Sequence, residues 1–519
     1  MTRPLLCVAV LAAVASAQAP RIVATLQFPE PLVLTGVLAS DLDGDGLGDL
    51  IVAVRDGERR RRELRVHHGR DVAKHGTAFA NEPSLPPLPI ERDVIAFTLA
   101  DCRPAKGREL VLLTHERAVA VELRDGGEPV YTAIGEHRLV WPAADPDFVL
   151  PLPDARCDFD GDGHDDLLLP TADGALLQSL HVPTRRHEWT LPPWRSPLSK
   201  GKNNGLSLQD GNLSLSFAAG GGGGDADDAD AEAKRPLVTL RTRTPRTRLA
   251  DVDGDGKPEL LTVRNGQRFV GRFAESPLQT TATALPLPGD RLALFDPMFD
   301  AQFVDVDGDR RLDLVLTTSA RRDDEVEVRI DLYRSTADGT WPKKPDSRLR
   351  LQTLARPAQL VDADGDGKLD VVVATVRTDA LRLPGNDAPK SLEAQLHVFR
   401  GDGTRFVQPA LLAERLQLPT GGDRGTMLRA LAGKAGTPGA LLLTSDDQLQ
   451  LRPFERDGER LRLGAASGGV ALPAKARFAG NQNVDDDGDA DDDDDEDTEP
   501  GDGDVLVRTN HELLVVRLP

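Results

Sequence analysis

The chain has 519 residues, more than the roughly 100–200 of an ordinary domain, so it forms either several domains or one large repetitive one. Its formal net charge of -21 argues against nucleic acid or anionic lipid as a partner, since both would repel it, and leaves divalent cations attractive. Much of that charge is local, with 14 acidic residues and no basic one between Asp485 and Asp504.

At the N-terminus Arg3 precedes an apolar run from Leu5 to Ala15, then the small residues Ser16 and Ala17. This reads as a signal peptide over 1–17, cleaved after Ala17, because cleavage after Ala19 would place Pro20 at the scissile bond. Export is therefore expected, to a periplasm or outside the cell. No later apolar run approaches the roughly 20 residues needed to cross a bilayer, so no membrane span is expected. The mature chain, 18–519, keeps two cysteines, Cys102 and Cys157, too few for a disulfide scaffold. Two separate small buried thiols are expected, a bridge between them being the alternative.

From residue 41 onward one phrase recurs: an apolar strand start, an aspartate loop, and a second apolar run. The first copy is Asp41-Leu42-Asp43-Gly44-Asp45-Gly46-Leu47-Gly48-Asp49, leading into Leu50-Ile51-Val52. Asp101 to Glu109 is a degenerate copy that keeps the frame before Leu110-Val111-Leu112-Leu113, and Asp158 to Asp166 restores the carboxylates before Leu167-Leu168-Leu169. The next interval is long because Ala218 to Lys234, Gly-rich and then Asp/Ala-rich, is a low-complexity insertion expected to form a flexible surface loop. Full copies resume at Asp251 to Glu259, Asp305 to Asp313 and Asp362 to Asp370, and Ala432 to Ala440 is a second degenerate frame. The eighth copy begins at Asp485, is split by an acidic insertion over 485–503, and resumes at Asp504 before Val505-Leu506-Val507. Like charges packed so densely repel, and 485–503 has almost no apolar side chain to bury, so it and 218–234 are expected to be the least ordered segments.

Each period has room for about four short strands: one entering the loop, one leaving it, and two more between turn signals. Glu63 to His67 would be the third strand of the first copy and Val326 to Tyr333 that of the fifth. Helical periodicity is scarce, and Pro and Gly punctuate the connections. The fold class that follows is all-β: a β-propeller of four-stranded blades, eight in number, with seven as the alternative if one degenerate copy forms no blade. The last repeat runs out of chain after its third strand, and Arg21 to Phe28 is placed to supply the missing outer strand.

In Asp-x-Asp-x-Asp-x-x-x-Asp/Glu, carboxylates at positions one, three, five and nine and the carbonyl of position seven form an oxygen-only shell. Calcium prefers such a shell and magnesium fits it poorly. The five full copies nominate Asp41, Asp43, Asp45 and Asp49 with the Leu47 carbonyl, and Asp158, Asp160, Asp162 and Asp166 with that of His164. They nominate likewise Asp251, Asp253, Asp255 and Glu259 with Lys257, Asp305, Asp307, Asp309 and Asp313 with Arg311, and Asp362, Asp364, Asp366 and Asp370 with Lys368. Asp485, Asp487 and Asp489 are candidates for a sixth, weaker site. An EF-hand closes instead with Glu at position twelve between helices, whereas here a strand follows position nine at once.

These loops resemble those of the FG-GAP/VCBS repeat family, the calcium-binding blades of integrin-α-like propellers, with Ile51-Val52-Ala53-Val54 where the family's small-residue signature would stand. The resemblance implies that the loops join the first two strands of each blade on one face of the disc, leaving the opposite face and channel mouth for ligands. No zinc-type His spacing, nucleophile elbow or phosphate loop is present in the sequence, and His67, His68 and His75 read as exposed polar filler. Trp189 and Trp194 are expected at blade edges. The functional expectation is a secreted, monomeric, non-enzymatic binding or adhesion module for an extracellular protein or glycan, the alternative being a calcium-dependent polysaccharide-processing enzyme of lyase type.

Overall fold

The computed structural model describes residues 19–518 apart from 193–204, 217–246, 288–299, 377–390, 420–426, 479–503 and several stretches of four residues or fewer. The leader at 1–17, the insertion at 218–234 and the acidic run at 485–503 lie outside the described residues.

Among the described residues, the strands form an eight-bladed propeller of mostly four-stranded antiparallel blades, beside one separate hairpin of Gly205–Gln209 and Asn212–Ser216. Blade 1 sets the pattern. Leu32–Ser40 enters the aspartate loop, Asp49–Asp56 leaves it, Arg62–His67 follows, and Leu88–Ile90 is outermost. Blade 5 repeats it with Asp300–Val304, Asp313–Arg322, Glu325–Tyr333 and Ser347–Leu351. Both degenerate frames form blades too, the strands Glu109–Leu113 and Ala440–Ser445 leaving their loops, so the count is eight and not seven.

The strand leaving each loop is apolar at successive positions because both of its faces are buried. Leu50, Val52 and Val54 pack against Leu506, Leu513 and Val515 of blade 8, whereas Ile51 and Ala53 pack against Phe97, Leu99 and Leu110 of blade 2. Among the described residues eight such apolar clusters occur, one at each junction between neighbouring blades, so the core is a ring of interfaces. Each fully buried Leu, Ile or Val contributes about 1.5–3 kcal/mol. Trp189 belongs to the junction of blades 3 and 4 as expected of an edge residue, its indole Nε1–H donating to Thr280 Oγ1 at 3.0 Å. Trp194 lies outside the described residues.

The ring closes by joining its two chain ends. Arg21–Gln27 pairs antiparallel with Glu512–Arg517, from Arg21 opposite Arg517 to Gln27 opposite Glu512, and is the outermost strand of blade 8. Val23, Ala24, Leu26 and Phe28 are buried in the cluster that joins blade 8 to blade 1.

A further segment besides that hairpin has no counterpart in the repeat. After the outer strand of blade 2, Val130–Glu136, the chain crosses the side of the ring away from the aspartate loops. The Val140 amide donates to the Pro170 carbonyl, Arg62 of blade 1 donates to the carbonyls of Asp145 and Phe148, and Arg55 pairs with Asp147 at 2.7 Å. Leu150–Pro151 then adds a fifth, parallel strand to the inner edge of blade 2, beside Ala96–Ala100. This stretch covers part of the face that the resemblance implies to be open. No helix among the described residues is long and apolar enough to cross a membrane.

Candidate metal centres

The first aspartate of each full loop folds the turn around itself. Asp41 Oδ1 accepts from the amides of Gly44 (2.6 Å) and Asp45 (3.2 Å), and its Oδ2 from Gly46 (2.9 Å). Asp251 holds Gly254, Asp255 and Gly256 in the same way, Asp305 holds Gly308, Asp309 and Arg310, and Asp362 holds Gly365, Asp366 and Gly367. Asp158 holds Asp162 and Gly163, while Asp160 lies outside the described residues. The wrap draws carboxylates together. Oxygens of Asp41, Asp43 and Asp45 lie within 4.8 Å of one another, as do those of Asp251, Asp253 and Asp255 and those of Asp305, Asp307 and Asp313.

Positive φ is needed at position six, and Arg310 carries it at 70° where the other described copies have glycine. In blade 6 glycine at position four serves a second purpose. A Cβ on Gly365, whose φ is 74°, would run into the backbone of Thr437 in the next blade's loop, whereas one on Gly367 meets nothing. Gly367→Ala should cost about 1–2 kcal/mol of left-handed strain. Gly365→Ala adds the clash and should cost roughly 2–5 kcal/mol, read as the difference between the two variants' denaturation midpoints.

The ninth residue is fully buried in every full loop, and its carboxylate ties the loop to its blade. Asp49 Oδ2 accepts from the Leu42 amide at 2.8 Å and Oδ1 from Gly69 at 2.7 Å. Asp166, Glu259, Asp313 and Asp370 make the same bond to the amide of position two, and so does Glu109 in the degenerate loop of blade 2. This acid therefore has a role in the fold beyond the ligand role read from sequence. Position two is itself buried and apolar in each full copy, as Leu42, Phe159, Val252, Val306 and Ala363. Its carbonyl can accept from position eight of the following loop, as Leu42 does from Arg108, Val252 from Leu312 and Ala363 from Gly439, so neighbouring loops are locked together.

A basic side chain at or just past the end of the third strand faces several of these clusters, a feature that sequence reading missed. His68 Nδ1 lies 3.4 Å from Asp43 and 3.3 Å from Asp49, Arg272 is 3.0 Å from Asp253, Arg334 is 3.5 Å from Asp307, and Arg400 is 2.7 Å from Asp364. In blade 4, Arg272 also lies 3.7 Å from Glu259, so its guanidinium meets two of the loop's four carboxylates. Burial, together with the neighbouring carboxylates, raises the pKa of Asp43 and of Glu259. Burial pushes Asp313 up to about 6, with Asp307 and Asp309 adding to the effect, and Asp370 up to about 7, with Asp364 adding.

Residues 305–373, which hold the loops of blades 5 and 6, match the model of the FG-GAP-like repeat. The chain carries an FG-GAP-like repeat within an eight-bladed propeller. No curated protein matches it in sequence. Among solved structures it is similar to an Agrocybe aegerita lectin that recognises non-reducing terminal N-acetylglucosamine, with 15% identity, 73% of this chain and 80% of that chain covered, and a TM-score of 0.34. It is similar also to the S. cerevisiae core factor (9% identity, 96% and 60% covered, TM-score 0.31) and to the V. cholerae biofilm matrix protein Bap1 (10% identity, 96% and 91% covered, TM-score 0.28). Likenesses at these TM-scores carry no argument about function.

His67 is buried, with Nδ1 3.0 Å from the Ala80 carbonyl, and burial lowers its pKa. His68 faces the blade 1 loop, so the reading of His67 and His68 as exposed filler is corrected, and alternation along the strand is the reason. His75 is exposed in the short helix Val72–His75. Cys102 and Cys157 are both thiols with no disulfide between them, and burial pushes the Cys157 thiol up. The proposed sixth site at 485–489 lies outside the described residues.

Proposed function

We propose that the chain is an exported, monomeric propeller whose FG-GAP-like loops hold calcium, and that it acts as a non-enzymatic binding or adhesion module for an extracellular protein or glycan. The observation that carries this reading is the repetition of one wrapped, carboxylate-rich turn in the same frame in blades 1, 4, 5 and 6, each with four carboxylates, and in blade 3 as far as it is described. Such turns fit a hard divalent cation of flexible coordination, which describes calcium better than magnesium. Asp41, Asp43, Asp45 and Asp49, with the Leu47 carbonyl, would hold it in blade 1, and the equivalent residues in the other four. Bound there, the ion neutralises charge and fastens the turn. The chain's own carboxylates orient the loops, and the ninth acid anchors them to the ring.

Immobilised calcium-loaded protein should retain a component of an extracellular glycan panel or of the source's own surface fraction, and should release it on chelation. Retention unchanged by chelation would sink the calcium-dependent binding reading. A rise in ultraviolet absorbance from unsaturated ends in a panel of acidic polysaccharides would replace it with the lyase reading.

A further inference from the structure

We propose that Asp101, His164 and His181 form a transition-metal site of zinc type at the junction of blades 2 and 3, separate in chemistry from the calcium loops. Asp101 opens the degenerate loop of blade 2, which lacks the third and fifth carboxylates of a full copy, and its side chain turns instead toward blade 3. Its Oδ2 lies 2.9 Å from His164 Nδ1, and its Oδ1 lies 3.9 Å from His181 Nε2. The two imidazoles stack with ring centroids 3.9 Å apart, so both rings lie beside Asp101 and would tilt apart for a nitrogen of each to reach one ion. One ligand atom from each of the three residues lies within 4.8 Å of the other two, and tetrahedral ligands about 2.0–2.1 Å from zinc stand about 3.3 Å from one another, so a modest contraction would close the shell.

A second observation points to a ligand. Asp101 Oδ1 is buried without a hydrogen-bond partner, a costly arrangement for a carboxylate oxygen. The turn that carries it is fixed, since the Asp101 amide and Arg108 Nε both donate to Asp165 Oδ2 at 3.0 Å. His181 Nε2 is also 3.0 Å from the Asp101 carbonyl, so a metal would displace the proton shared there. Two imidazoles and one carboxylate suit zinc or cobalt(II) and are poor for calcium, which takes oxygen ligands. His164 is 39% exposed at its side chain, which leaves a fourth coordination position open to water or a ligand group.

Cobalt(II) is the probe, added to full-length protein already saturated with calcium so that the oxygen loops are filled. One cobalt per chain should bind with visible d–d bands of nitrogen ligation. His164→Asn and His181→Asn should each weaken it at least tenfold, and His181→Asn, outside the calcium loops, should retain calcium-dependent melting. His68→Asn should leave the bands intact, and His181→Cys should add a thiolate-to-cobalt charge-transfer band. Absence of d–d bands in the wild-type protein, their persistence in both His164→Asn and His181→Asn, or their loss in His68→Asn would overturn the assignment.

Discussion

Chelating calcium should lower the melting midpoint of this protein by many degrees, and magnesium should not restore it. With a dissociation constant of about 0.1 mM, common in extracellular modules, each loop gains about 1.4 kcal/mol at roughly 1 mM free calcium, and five loops gain about 7 kcal/mol. That rivals the whole net stability of a typical domain, about 5–15 kcal/mol. The effect should depend on pH. The folded, metal-free protein keeps the Asp370 proton up to about pH 7 and that of Asp313 up to about 6, whereas the unfolded chain releases both near pH 4. These two groups therefore make the metal-free fold lose stability as pH rises between those values, and calcium, which must displace the same protons, stabilises more at pH 8 than at pH 6. Thermal melts at both pH values, with calcium and with chelator, give the comparison. A calcium shift of equal size at pH 6 and pH 8 would contradict the placement of Asp370 and Asp313 in these centres.

Removing the closing strand should be at least as damaging. Arg21–Gln27 supplies the outer edge of blade 8, and Leu26 is 0% exposed among Leu50, Leu506 and Leu513. Leu26→Ala should cost about 2–5 kcal/mol. Deleting 19–28 removes Val23, Ala24 and Phe28 as well and leaves Glu512–Arg517 with an unpaired edge, so the ring should lose its single cooperative transition. Calorimetry on both variants checks this, and an unchanged midpoint after the deletion would show that closure contributes nothing.

The parts of the molecule that were legible in the sequence are those with fixed spacing. Asp-x-Asp-x-Asp followed by a run such as Val371-Val372-Val373 marks the loop and the doubly buried strand together, because a strand wedged between two blades must be apolar on both faces. Closure was legible for a similar reason, since the last repeat ends one strand short. The opposing cations were not, because the hairpin between second and third strands varies in length: Arg272 follows Glu259 by 13 residues, and Arg400 follows Asp370 by 30. No local pattern records such a pairing. The buried apolar residue at position two could have been found, since Leu42, Phe159, Val252, Val306 and Ala363 break an otherwise acidic phrase at the same place. The crossing segment after blade 2 carries no repeat signal, and its place is set by contacts distant in sequence, such as those of Arg62 and Arg55.

Calcium stoichiometry tests the central claim most directly. Equilibrium dialysis of the full-length protein at roughly 1 mM free calcium, in a severalfold excess of magnesium, should find about five ions per chain, one for each full loop. Binding of one ion or fewer would show that the FG-GAP-like loops are acidic turns held by their own hydrogen bonds and opposing cations.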